Sequence, residues 1–167
     1  MVKTIIVVKD IRLESDIDMS SSNSSIGAEV FGKRQEDRMG FKNSKVAIVG
    51  VGNVGATTAY TIVNQGLCEE IVLIDVNKDK AYAEALDMQH SIYFMNRNIQ
   101  VKAGDYSDCT DADIVIITAS APMPKDSNDR LKMLEPSMKI MKSIVGSVMK
   151  SGFNGIFLVV SNPVDIM

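Results

Sequence analysis

The sequence has few cysteines, no tryptophan and no long apolar segment. Its two cysteines, Cys68 and Cys109, are too few for a disulfide framework, so we expect both to be reduced in a cytoplasmic protein. The apolar run Ile5–Val8 is too short for the core of a signal peptide or for a membrane span, which argues against a membrane partner. The net charge of −3 and the pI near 5.2 argue against nucleic acid as the main partner.

Hydrophobic residues make up 46% of the 167 residues, which suits one domain with a sizeable core. Residues 1–44 differ from the rest of the chain. Their segment Thr4–Val8 is β-branched and apolar, as in a strand, whereas Ser20–Ser25 has the composition of a flexible linker. We expect residues 1–44 to form a poorly ordered arm, with an arm that contacts a neighbouring subunit as the alternative.

Three glycines with the spacing G-x-G-x-x-G follow the apolar run that begins at Lys45. Gly50 allows a tight turn, Gly52 lets a pyrophosphate approach the backbone, and Gly55 lets the next helix lie close to the strand. Asp75 ends the next apolar run, about 20 residues further on, where a carboxylate can accept hydrogen bonds from both ribose hydroxyls. This order of strand, turn, helix and acid predicts a dinucleotide site; the alternative is a glycine-rich turn that binds nothing.

Residues 45–167 alternate between short apolar runs and helical periodicity, which predicts a parallel sheet covered by helices on both faces. The predicted strands are Lys45–Val49, Ile71–Ile74, Ile99–Lys102, Asp113–Thr118 and Ile156–Val160, and the predicted helices are Asn53–Gln65, Lys78–Phe94 and a third that starts at Leu131. Pro136 should divide the third helix into two helices or kink it near Glu135. The predicted fold class is α/β, a doubly wound parallel sheet of the Rossmann type that stops after about five strands. Its fifth strand should then be an unpaired edge that promotes self-association, either through two such edges or through the segment Thr4–Val8 adding to one.

A series of short motifs follows between Lys45 and Met167. They read G-V-G-N-V-G-A, I-D-V-N-K, L-D-M-Q-H, G-D-Y-S-D-C, D-A-D-I-V-I-I-T-A-S-A, D-R-L and S-N-P-V-D. In this order they resemble the amino-terminal half of the lactate and malate dehydrogenase family, and the bacterial L-lactate dehydrogenase branch fits best. The resemblance implies an NAD-dependent enzyme that moves a hydride between C2 of a small 2-hydroxy acid and the nicotinamide.

The resemblance also implies roles for individual residues, through their positions in these motifs. The implied cofactor-binding residues are Gly50, Gly52, Asn53, Val54, Gly55, Asp75, Lys80, Tyr106, Thr118, Ala119, Ser120, Ala121 and Asn162. Asp75 implies NAD rather than NADP, and no metal site is implied. Arg130 matches an arginine on a loop that closes over the substrate and polarises its carbonyl, and Asn162 matches an asparagine beside the nicotinamide and the substrate.

Two features depart from the family pattern. The position that distinguishes substrates, a glutamine in lactate enzymes and an arginine in malate enzymes, falls on Met123 or Pro124. An apolar residue there disfavours malate and suits pyruvate or a larger apolar 2-oxo acid. The family's proton-transferring histidine would lie beyond Met167, and His90 matches a structural position, so we expect this chain alone to be inactive.

The sequence therefore predicts the NAD-binding half of an L-lactate-type dehydrogenase, in a homo-oligomeric or self-associating protein. One alternative is an L-2-hydroxyisocaproate-like or malate dehydrogenase. The other is a catalytically silent dinucleotide-binding module.

Overall fold

The structure, a computed structural model, describes residues 6–8, 44–95, 98–121 and 134–161. In these residues the strands are β1 (Ile6–Val8), β2 (Lys45–Val49), β3 (Glu70–Ile74), β4 (Gln100–Ala103), β5 (Ile114–Ile117) and β6 (Ile156–Val159). The α-helices are α1 (Asn53–Gln65), α2 (Lys78–Ile92) and α3 (Leu134–Lys150), and a 3-10 turn covers Tyr106–Cys109. None of the helices in these ranges is both long enough and apolar enough to cross a membrane.

The described strands form one sheet in the order β1-β6-β5-β2-β3-β4. Strands β2 to β6 are parallel to one another, with β2 at the centre between β3 and β5. Numbered without β1, they have the order 3-2-1-4-5 of a doubly wound sheet, so the predicted fold class is confirmed. The carboxyl end of β2 therefore lies where the strand order reverses, which is the usual place for a ligand in such sheets.

The prediction that β6 would be an unpaired edge is wrong. Residues Ile6–Val8 pair with β6 in the antiparallel direction, with Val7 opposite Leu158. An apolar strand with a row of unpaired N–H and C=O groups is a template for another strand, and here a segment of the same chain fills that position. The remainder of the predicted arm, residues 1–5 and 9–43, lies outside the described residues.

Two apolar layers cover the two faces of the sheet. Alternation along β2 sends Val46 and Ile48 to one layer and Ala47 and Val49 to the other. Helices α1 and α2 contribute buried residues to the first layer, and α3 contributes to the second. Every residue of β2 is buried, as expected for a central strand that is covered on both sides.

Helix α3 begins at Leu134 and continues through Pro136 to Lys150. Within the described residues the helix is not divided at Glu135, and the alternative prediction of a kink there stays a prediction. Pro136 is the third described residue of α3, and proline is tolerated in the first turn of a helix, where its missing N–H costs no helical hydrogen bond. Ser137, Ile144 and Val148 form its buried face.

Both cysteines lie in the core as free thiols. Burial raises the pKa of Cys68 to about 11 and the pKa of Cys109 to about 11. Both thiols are therefore protonated near neutral pH and pack as small apolar side chains.

Candidate functional site

The glycine turn is built at the carboxyl end of β2. Gly50 has a φ of +97°, a conformation that favours glycine, and a Cβ there would lie 2.6 Å from the backbone nitrogen of Ala119. Gly55 lies so close to the Gly50 carbonyl that a Cβ on Gly55 would overlap its oxygen. The first turn of α1 therefore packs directly on the end of β2, and only glycine fits at these two positions.

Gly52 differs from the other two glycines. Its φ of −77° and ψ of −169° are accessible to any residue, and among the described residues, its two chain neighbours aside, no atom lies within 4 Å of where a Cβ would stand. The fold itself therefore does not require glycine at this position. Because Gly52 has no side chain, the space next to its backbone is open, and a phosphate group fits in that space.

The N-terminus of α1 adjoins this open space. Gly52 is its N-cap, no side chain caps the helix, and the first turn has no acidic residue. The exposed residues Asn53 and Val54 follow directly. Uncapped N–H groups and the positive end of the helix dipole attract an anion, so this end of α1 fits a pyrophosphate.

The Asp75 carboxylate lies next to the glycine turn. Its Oδ2 accepts a hydrogen bond from the Val51 N–H at 2.6 Å, and its Oδ1 accepts one from the Asn77 N–H at 2.9 Å. Two carboxylate oxygens offer roughly four acceptor positions, so both oxygens retain capacity for ribose hydroxyls. Asp75 thus holds the turn and also presents acceptors beside it.

A cavity of about 330 Å³ opens beside Asp75. It is lined by Val49, Gly50, Asp75, Val76, Tyr106, Lys139, Ile140, Ser143 and Ile144. Val76 is 99% exposed, so its apolar side chain has no cover from the described protein. Burial is the main cause that raises the pKa of Tyr106, whose hydroxyl is therefore neutral near pH 7. A largely apolar lining that includes the Asp75 carboxylate suits an adenosine, which has a flat base and two ribose hydroxyls.

The comparisons with known proteins agree with this geometry. Residues 44–167 match the family model of the lactate/malate dehydrogenase NAD binding domain. The chain belongs to the lactate/malate dehydrogenase family. Its matched region is the domain that binds NAD, so NAD is confirmed as the cofactor of this domain family.

Two curated L-lactate dehydrogenases illustrate the similarity. L-lactate dehydrogenase 3 of Bacillus cereus is 58% identical over 123 residues, which cover 74% of this chain and 39% of the relative. L-lactate dehydrogenase 2 of Lactococcus lactis is 50% identical over 129 residues, which cover 77% of this chain and 41% of the relative. The chain thus spans well under half the length of these curated relatives.

Solved structures show the same fold. A lactate dehydrogenase from a Medee basin deep-sea metagenome library superposes with a TM-score of 0.69 at 48% identity, over 74% of this chain and 39% of the other. The ligand-bound minor L-lactate dehydrogenase of Enterococcus mundtii gives a TM-score of 0.70 at 44% identity, over 73% of this chain and 38% of the other.

The lactate/malate dehydrogenase motif T-A-S-A lies beneath the glycine turn. The N–H groups of Thr118 and Ala119 both donate to the Val49 carbonyl, at 2.9 and 3.2 Å. The Ser161 hydroxyl donates to the Ala119 carbonyl at 3.0 Å. This segment is therefore anchored to β2 and to the end of β6.

The rest of the segment is anchored to α3. The Ala121 N–H donates to the buried Ser137 hydroxyl at 3.2 Å, whereas Ser120 is exposed. Lys80 lies in the first turn of α2, is exposed, and is not among the residues that line the cavity. The structure thus places Thr118 and Ala119 against the glycine turn and holds Ala121 on α3, and it leaves Lys80 outside the cavity wall.

Several residues of the cavity wall are not predicted from the sequence, namely Val76, Lys139, Ile140, Ser143 and Ile144. An apolar residue directly after Asp75 was a weak signal for Val76. The α3 residues gave no signal, because they are far from Asp75 in sequence and only the packing of α3 on the sheet brings them there.

The predicted substrate-contacting residues Arg130, Asn162, Met123 and Pro124 lie outside the described residues. His90 is exposed in the last turn of α2. It lines a separate cavity of about 860 Å³ together with residues from the start of β4, which is an edge strand of the sheet. In the described part of the chain, no group of histidine, cysteine and acidic residues could hold a metal ion.

Proposed function

We propose that this domain is the NAD-binding half of an L-lactate-type 2-hydroxy-acid dehydrogenase, which transfers a hydride between L-lactate or pyruvate and the nicotinamide. The observation that carries the proposal is Gly52. Its backbone conformation and its surroundings accept a side chain, so a ligand rather than the fold accounts for glycine at this position.

The surroundings of Gly52 support the same ligand. The uncapped end of α1 would hold the pyrophosphate through backbone N–H groups. The cavity beside Asp75 would hold the adenosine, with the carboxylate accepting hydrogen bonds from the ribose. Bound NAD supplies the hydride acceptor, and the residues from Thr118 to Ala121 would support its nicotinamide side.

The substrate end of the proposal rests on the family motifs. Arg130 would polarise the substrate carbonyl, and Asn162 would position the substrate beside the nicotinamide. Met123 or Pro124 would face the substrate side chain. Since neither can pair with a second carboxylate, we propose pyruvate or a larger apolar 2-oxo acid rather than oxaloacetate.

A binding experiment tests the cofactor site. Gly52→Ala should weaken NADH binding by at least about tenfold, because its methyl group occupies the space proposed for the pyrophosphate. The free energy of unfolding should fall by about 1 kcal/mol or less, the cost of alanine at an N-cap. Titration calorimetry and urea unfolding measure the two effects.

Gly146→Ala is the matched control, since at this exposed position of α3 a Cβ would also meet no atom within 4 Å from the part of the chain that the structure describes, its own helix backbone aside. It should leave NADH binding unchanged. Equal NADH affinity for Gly52→Ala and the unmutated protein would refute the proposed pyrophosphate site.

The second candidate is a dinucleotide-binding module without catalysis. His90 favours it, because the single histidine of the sequence lines a cavity at the start of the edge strand β4, and no residue of the glycine turn lines that cavity. The purified 167-residue chain should then bind NADH but reduce pyruvate, 2-oxoisocaproate and oxaloacetate at negligible rates. Robust turnover that His90→Gln abolishes would show instead that His90 serves as the acid.

A further inference from the structure

The peptide group between Gly50 and Val51 is held at both of its ends by side chains. Its N–H donates to Asp75 Oδ2 at 2.6 Å. Its C=O accepts a hydrogen bond from Thr118 Oγ1, which also lies 3.4 Å from the Val49 carbonyl. Asp75 follows β3 and Thr118 follows β5, and these two strands flank β2. The same peptide group is therefore hydrogen-bonded from both sides.

Gly50 is the more adaptable side of this peptide group. It has a positive φ and no side chain, so its backbone torsions are less restricted by sterics than those of other residues. A changed orientation of the peptide group would bring the Gly50 carbonyl oxygen toward the Asp75 carboxylate and would alter the backbone path into Gly52 and the start of α1. The N–H groups at that end of the helix would then no longer be directed at a phosphate.

We propose that Thr118 is a positioning residue for the pyrophosphate: with Asp75 it fixes the orientation of the Gly50–Val51 peptide, so that the backbone from Gly52 onward presents its N–H groups to the phosphates. The family resemblance implied only that Thr118 lines the cofactor. Its hydroxyl is instead engaged with the turn, and its action on the ligand is indirect. This inference rests on the proposed dinucleotide site.

Thr118→Val and Thr118→Ser separate the hydroxyl from the shape of the side chain. Valine keeps the branched shape and removes the donor, so the Gly50 carbonyl loses its partner. Serine keeps the donor. Thr118→Ala also removes the donor and serves the same comparison if the valine variant does not fold.

Three ligands separate positioning from general stability. NADH and ADP-ribose contain the pyrophosphate, whereas adenosine reaches only the cavity beside Asp75. Thr118→Val should weaken NADH and ADP-ribose binding by about tenfold, which corresponds to the loss of one hydrogen bond at the upper end of the usual energy range. Adenosine binding, measured by ligand-observed NMR, should stay unchanged, and Thr118→Ser should restore NADH affinity.

Thr110→Val is a matched control. Its hydroxyl also donates to backbone carbonyls, those of Ser107 at 2.7 Å and Ser151 at 2.9 Å, but it lies between the 3-10 turn and β5 rather than beside the glycine turn. This control should bind all three ligands as the unmutated protein does.

The outcomes distinguish the inference from the proposed function. NADH binding that does not respond to Thr118→Val overturns the inference alone. Equal losses for adenosine and NADH also overturn it, because they mark a structural role. Failure of the unmutated protein to bind NADH or ADP-ribose refutes the proposed function, and the inference with it.

Discussion

Lys45 and Asp111 join the start of β2 to the segment before β5, with Lys45 Nζ 2.6 Å from Asp111 Oδ1. The Lys45 side chain is only 6% exposed, and it also lies 3.5 Å from Glu70. A buried ammonium group is stable only with such partners. These ion pairs lie at the start of β2, whereas the glycine turn lies at its other end.

Asp111→Asn should lower the free energy of unfolding at pH 7 by up to about 1 kcal/mol, because a neutral amide oxygen is a weaker acceptor for the Lys45 ammonium group than the exposed carboxylate that it replaces. The Lys45 hydrogen bond is the main cause that lowers the folded-state pKa of Asp111. Its contribution is therefore present above the unfolded pKa of about 3.9 and is lost as the pH falls through the folded value. Urea unfolding should show a smaller difference between variant and unmutated protein at pH 3 than at pH 7. Asp87→Asn, an exposed position on α2, is the control and should show little difference at either pH.

The Asp75 carboxylate should give a preference for NADH over NADPH, because it would face the 2′-phosphate. Asp75→Ser should narrow this preference in titration calorimetry. It should also weaken NADH binding, since it removes the acceptor for the Val51 N–H. Asp79→Ser, at an exposed acid in the first turn of α2, should change neither affinity. Equal affinities for the two cofactors in the unmutated protein would refute the assignment of Asp75.

Two glycines around the end of α3 should respond to alanine in opposite directions. Gly146 lies inside the helix with open space around it, so Gly146→Ala should stabilise the protein by about 0.5 to 1 kcal/mol. Gly152 follows the helix with a φ of +88°, so Gly152→Ala should destabilise it by about 1 kcal/mol or more. Thermal and urea unfolding measure both changes. The same sign for both would contradict the backbone assignment at one of them.

Removal of residues 1–10 should increase self-association, because it leaves β6 without the strand that pairs with it. Light scattering across a concentration series measures the effect. Deletion of Ser20–Ser25 keeps β1 and is the control. If the shortened protein associates no more than the control, β1 does not protect this edge.

Local patterns in the sequence were sufficient for most element boundaries. The predicted ranges of β2 and α1 agree with the observed Lys45–Val49 and Asn53–Gln65, and Gly66 adopts the left-handed conformation expected at a helix end. Buried strands, helical periodicity and glycine caps depend on neighbouring residues, so they can be recognised without knowing the fold. The glycine spacing and Asp75 were recognised for the same reason.

Tertiary structure alone decided three other features. Each of them brings together residues that are far apart in sequence. Ile6–Val8 pairs with β6, α3 lines the cavity beside Asp75, and Thr118 donates to the Gly50 carbonyl. The sequence by itself determined the elements and the chemistry of the turn, because both are local. The connections between strands decide which strand ends lie side by side. They therefore decide which strand pairs with an edge and which side chains bond to a given peptide group, and no local pattern in the sequence encodes that placement.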